Sequence, residues 1–114
     1  MDNSSPEVKL NFRFLSLNKL QAITLEREIV GSSYQKHYEN DSYFGCVPLT
    51  TFSIDDINDF YVRQMIDVTE CDIFVSVVSE SDANIVDVPI VANRMLKYID
   101  CKLTYSFSVL RNAL

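Results

Sequence analysis

Nine residues, CDIFVSVVS at 71–79, constrain this chain more than any other stretch. The run is too continuously apolar for a strand with one wet face, so it reads as a strand in the middle of a sheet. Such a strand needs neighbours, and CKLTYSFSVL at 101–110 offers one, with Leu103, Tyr105, Phe107 and Val109 alternating against polar residues. Between the two, Asp87 to Pro89 opens a helix, since proline is tolerated in a first turn and acid is favoured near a helix start. Val88, Val91, Ala92, Met95 and Ile99 form its buried side, and Glu80 to Asn84 make a turn-rich connection into it. Strand, helix and strand in this order predict a right-handed crossover joining parallel strands.

Ahead of this unit, VKLNFRFLSL at 8–17 sets Val8, Leu10, Phe12 and Phe14 against Lys9, Asn11 and Arg13, the period of a half-buried strand whose register slips at Leu15. Asn18 then caps a helix, KLQAITLEREIV, that ends at Gly31, where a left-handed residue is favoured. Leu20, Ala22, Ile23, Leu25, Ile29 and Val30 give that helix an apolar side; Glu26, Arg27 and Glu28 mark its wet side. Residues 31–45 are polar yet hold Tyr34, Tyr38, Tyr43 and Phe44, and read as an irregular segment or as a strand that turns at Glu39-Asn40-Asp41. Tyrosine mixed with Ser, Asn and Gly is the composition of binding loops, because tyrosine gives much contact area for little rotamer entropy. An ordinary edge hairpin with core-facing aromatics is the simpler account of the same residues. CVPLTTF at 46–52 suits a short strand that Pro48 ends or confines to an edge.

The stretch FSIDDINDFYVRQ at 52–64 places Asp55, Asp56 and Asp59 close together. Ser53 followed three residues on by Asp56 is an acidic variant of the capping box, so a helix is expected to start here. At 100° per residue Ile54, Ile57, Tyr61, Met65 and Val68 form one stripe, with Asp55, Asp56, Asp59, Arg63 and Asp67 opposite. Oxygen ligands suit a hard cation, but the helix start already explains Asp55 and Asp56, and no calcium-loop spacing follows. Asp59, and Asp67 in an expected last turn where a carboxylate opposes the dipole, leave excess acid that suits a charged docking face.

Much chemistry is excluded. His37 is the sole histidine, expected in a solvated segment, so no two-histidine metal site can be assembled and any triad must rest on it. Gly31 and Gly45 are the only glycines, too few for a phosphate cradle. No catalytic residue, metal or cofactor is therefore expected. A net charge of −6 argues against nucleic acid and against anionic membrane surfaces. Cys46, Cys71 and Cys101 form no ligand or disulfide pattern and read as cytosolic thiols. MDNSSPEVK lacks the layout of a signal peptide and no apolar run reaches the ~18–20 residues of a span, so a cytoplasmic location is expected. At 114 residues the expectation is a single α+β domain over 1–114, a two-layer αβ sandwich with a mixed sheet of four to five strands and three helices.

FSIDDI at 52–57 and DIFVSVVSESDANIVDVPIVANRMLKYIDCKLTYSFSVL at 72–110 resemble segments of small immunity proteins from bacterial contact-dependent growth inhibition systems. Shared are a helix start of the form F-S-[IL]-x-x-I, a strand-loop-helix with [DA]-x-[IV]-P-I-V, and a closing strand. The resemblance covers about half the chain. It implies a cytosolic protein without catalysis that neutralises one cognate toxin domain, often a basic nuclease acting on transfer RNA or DNA. Toxin-facing surfaces in such families diverge, so no binding residue carries over by position. From the residues alone, the expected contacts are Tyr34, Tyr38 and Tyr43 with Asp55, Asp56, Asp59, Glu26 and Glu28, aromatic anchors beside charge. Alternatives are another small phage or bacterial inhibitor or adaptor, and a small-molecule-binding regulatory βαβ module.

Overall fold

A computed structural model describes residues 6–81 and 85–110. The elements run β1 (Glu7–Leu17), α1 (Lys19–Glu28), β2 (Ser33–Lys36), β3 (Tyr43–Pro48), α2 (Ile54–Arg63), a 3-10 turn (Val68–Glu70), β4 (Cys71–Ser79), α3 (Ile90–Leu96) and β5 (Lys102–Val109). Among the described residues the sheet order is β2-β3-β1-β4-β5, with β4 and β5 parallel and the other neighbours antiparallel. The expected α+β architecture, a mixed sheet of five strands with three helices, is the one observed.

Alternation in β1 decides where the core lies. Phe14 stands opposite Gly45 and Cys71, Phe12 opposite Val47 and Ile73, and Leu10 opposite Val75, so one face collects apolar rows from three strands. Ala22 and Leu25 of α1, Ile57 and Phe60 of α2, and Ala92 and Met95 of α3 cover it in a single cluster. Phe12 meets Phe14 edge-on at 5.0 Å and Phe14 meets Phe60 at 5.1 Å. Each fully buried phenylalanine contributes about 2–3 kcal/mol by area. Among the described residues the opposite face carries no helix.

The slip at Leu15 is a bulge: three steps from Phe14 to Leu17 oppose two from Gly45 to Tyr43, which returns Leu17 to the core. Gly45 is required by close approach, since a Cβ there would stand 2.5 Å from Leu25 Cδ2 and 2.9 Å from Leu17 Cδ1.

Asn18 caps α1 as expected, and in a full capping box: its Oδ1 accepts from the Gln21 N–H at 2.7 Å, while Gln21 Oε1 accepts from the Asn18 N–H at 2.9 Å. The helix stops at Glu28, earlier than expected, and Gly31 takes its left-handed φ of 86° in the turn beyond. Ser32 Oγ donates to the carbonyl of Ile29 at 2.7 Å, which helps to close the helix early. Val30, beyond the helix end, is consequently exposed, and Leu20 in its first turn is exposed as well rather than part of an apolar side. Residues 33–48 form the hairpin reading, and β3 lies inside the sheet with Pro48 ending it.

Three expectations around α2 are corrected. Ser53 does not cap the helix by its side chain: its hydroxyl donates to the Pro48 carbonyl at 2.9 Å and accepts from the Thr50 N–H, so it ties the preceding turn instead. Met65 is not on the apolar stripe, because the helix ends at Arg63 and Met65 follows at φ 55°, largely exposed. The N–H of Met65 bonds the Val62 carbonyl and that of Ile66 bonds Tyr61, a Schellman closure with methionine where glycine is usual. Phe60 takes the core place instead. Asp67 lies outside the helix and caps the 3-10 turn, accepting from the Thr69 N–H and hydroxyl, which hold its carboxyl below the ordinary value.

In the crossover, α3 starts after Pro89, which is its N-cap, so Asp87 precedes the helix rather than entering its first turn. Val91, Ala92, Met95 and Ile99 are buried as expected and Val88 packs against them. Of the turn expected at 80–84, residues 82–84 lie outside the described residues.

Candidate partner-binding surface

The hairpin divides the three tyrosines. Tyr34 pairs with Gly45 and Tyr43 with Lys36, which puts both rings on the helix-bearing face at the β2 edge, edge-on to one another at 5.8 Å. Tyr38 stands beyond β2, almost wholly exposed. Beside it opens a groove of about 610 Å³ lined by Gln35, Lys36, His37, Tyr38, Glu39, Asn40 and Phe44. His37 is not a solvated side chain as expected. Its ring stacks on Phe44 at 3.7 Å and Nε2 lies 3.0 Å from the Leu15 carbonyl, which only accepts, so Nε2 carries the proton.

The acids are likewise distributed. Asp55 borders a cleft with Arg94, Lys97 and Tyr98, whereas Asp56 lines another with Pro48, Phe52 and Gly31. Arg63 Nε donates to Asp59 at 2.9 Å and its terminal nitrogens donate to Glu28, joining α2 to α1. Both carboxylates raise the Arg63 pKa, Glu28 more than Asp59. Arg63 therefore neutralises part of the expected acidic face, leaving Glu26, Asp55 and Asp56 exposed and without a bonded cation among the described residues. The three aspartates do not converge, and no group of three or more His, Cys, Asp or Glu among the described residues could hold a metal.

One constellation escaped the sequence reading. Asp72 is the second residue of β4 and only 1% exposed. Arg13 Nε donates to its Oδ1 at 2.8 Å, a second guanidinium nitrogen donates to Oδ2, and Thr104 Oγ1 donates to Oδ2 at 2.7 Å. The guanidinium also lies 4.2 Å over the Phe74 ring. Burial pushes the Asp72 carboxyl up, but the bonds from Arg13 and Thr104 overcome it and hold the carboxyl below its ordinary value. This network ties β1, β4 and β5 together on the helix-free face. Asn11, Arg13, Gln35, Phe44, Cys46 and Phe74 line a shallow depression there of about 400 Å³. The signal was partly available: an aspartate inside an otherwise apolar central strand needs a buried partner, and the polar row of β1, Lys9, Asn11 and Arg13, holds two cations, of which the register selects Arg13.

The thiols are unsuited to nucleophilic attack. Burial pushes Cys71 up to about 12 and Cys101 up to about 11, and raises Cys46 despite the opposing charge of Arg13. No helix among the described residues is long and apolar enough to cross a membrane. What the surface offers is aromatic area, hydrogen-bond donors and exposed carboxylates, the materials of recognition. No protein-family model, curated protein or solved structure matches the chain.

Proposed function

We propose that the chain is a cytoplasmic immunity-type inhibitor without catalytic activity, which binds and neutralises a cognate toxin domain, a basic nuclease of a contact-dependent growth inhibition system. The observation that carries this reading is the β2–β3 hairpin end, where Tyr38 is 98% exposed beside a groove holding the stacked His37 and Phe44. An exposed tyrosine next to a concave wall is the form of a binding anchor, because tyrosine gives much contact area for little rotamer entropy. Two further facts support it: the net charge of −6 suits a basic partner, and 52–57 with 72–110 resemble immunity proteins. The contacts proposed are Tyr38 at the hairpin end, Tyr34 and Tyr43 on its helix-bearing side, and the carboxylates Glu26 of α1 and Asp55 and Asp56 of α2, in separate patches; Asp59 and Glu28 act mainly through Arg63.

Co-expression with the product of the adjacent upstream gene tests this directly. A stable complex that protects cells from the toxin is expected. Tyr38→Ala should weaken binding by about tenfold or more, a loss near 1.4 kcal/mol. Absence of any complex, or full protection after Tyr38→Ala combined with Asp55→Lys and Asp56→Lys, would reject this surface.

A further inference from the structure

The two edges of the sheet are built differently. At one edge β2 has four residues, all exposed, and includes Lys36, the short and charged form that discourages pairing with another chain. At the other, β5 has eight residues, with no charge from 103 to 109, no proline and no bulge in its pairing with β4. Its helix-side row is left open: Leu103 is 39% exposed, Tyr105 58% and Phe107 49%.

The backbone of the same residues is also open. Leu110 donates its N–H to the Ser79 carbonyl at 2.7 Å, so even-numbered residues of β5 turn their backbone groups toward β4. Alternation then points the N–H and C=O of Leu103, Tyr105, Phe107 and Val109 outward. No strand among the described residues takes them.

We propose that β5 is the dimerisation edge of this protein, pairing antiparallel with β5 of a second copy about a two-fold axis to make a continuous ten-stranded sheet. Self-complementarity favours a second copy over an unrelated chain. Pairing odd residues with odd residues satisfies the outward groups and keeps the apolar row on one face, with Tyr105 opposite Tyr105 or Phe107 of the second copy. Lys102, the only charge in β5, lies at opposite ends of the paired ribbon in the two copies. A basic partner would find no carboxylate between 102 and 109 to recognise. Half-exposed aromatics that bury about 150–250 Å² each when fully covered give this row roughly 300 Å² with Leu103. That is under half of the ~800 Å² per partner of a stable interface, so backbone bonds carry much of the association and it belongs in the micromolar range.

Sedimentation of the full chain between about 1 and about 500 µM tests it, a span that covers weak self-association. A monomer converting to a dimer is expected, with the amides of 103, 105, 107 and 109 becoming protected from hydrogen exchange as the dimer fills. Tyr105→Lys should raise the dimer dissociation constant at least tenfold. Phe107→Pro should do the same, since it removes an outward N–H that β4 does not use. A wild-type chain that stays monomeric, or a dimer that survives both substitutions, overturns the proposal. If neither variant folds, the wild-type exchange pattern decides, and fast exchange at 105 and 107 in the dimer rejects it.

Discussion

The sheet has two halves that flank β1, and they are held by different means. In the β2–β3 half the devices are local and steric: a capping box starts α1, Gly31 turns the chain, and Gly45 lets Leu25 press onto the strand. In the β4–β5 half they are long-range and ionic, since Asp72 draws Arg13 from β1 and Thr104 from β5 across a buried carboxylate. The first half also ends in a short polar edge and the second in a long apolar one. Short-range devices specify a shape that can be displayed to a partner. Long-range ones specify which strands are neighbours, and they leave the outer edge to whatever pairs with it.

Substitutions that strike one half at a time should separate these two modes. The largest effect is expected from Asp72→Ala, which strands the Arg13 charge and should cost about 3 kcal/mol, lowering the melting temperature by more than about 10 °C. The folded pKa of Asp72 is depressed, so its contribution is present above the ordinary carboxylate pKa and is lost as pH falls through the lower folded value. The gap between wild type and variant should therefore shrink in melts below about pH 4. If it is independent of pH, the network is not ionic.

Next is Gly45→Ala, where the added methyl meets Leu25 and Leu17, both fully buried; urea titration should show a loss of about 2 kcal/mol. A neutral result would mean that α1 shifts readily and that this half is not held by close approach. Smallest is Asn18→Ala, expected to cost about 1 kcal/mol by removing the cap of α1. If the Asn18 effect exceeds that of Asp72, the contrast between local and long-range control is reversed.

Elements with strong local signals were legible in the sequence. The β1 alternation, the slip at Leu15, the Asn18 cap and the apolar run of β4 all stand where the chain announces them. The failures have different causes, the first being competition between bonding partners that lie close in sequence but are chosen by tertiary geometry. Ser53 had both a helix and a turn within reach, and the turn through Pro48 and Thr50 won. Periodicity carried the α2 stripe through Met65, although the chain reverses there without a glycine. For the candidate surface, the composition of 31–45 left Tyr38 open between a binding loop and a core-facing hairpin; the pairing of Asp59 with Arg63 four residues on was legible, while the capture of Glu28 by Arg63 was not, because Glu28 and Arg63 lie 35 residues apart. Asp72 was passed over because an apolar run invites reading for its hydrophobicity alone.

The position of β1 between β3 and β4 also sets an order of events during synthesis. Its partners in β3 follow after a moderate loop, but the bond from Arg13 to Asp72 closes a span of 59 residues. Closing so long a loop costs entropy before any contact repays it, which slows chains rich in distant strand pairings. On the ribosome, residues 7–48 can pair while one flank of β1 still waits for β4. That waiting flank bears the backbone and apolar row that β4 later covers, so the nascent chain is most exposed to misassociation in the interval when α2 has emerged and Cys71–Ser79 has not.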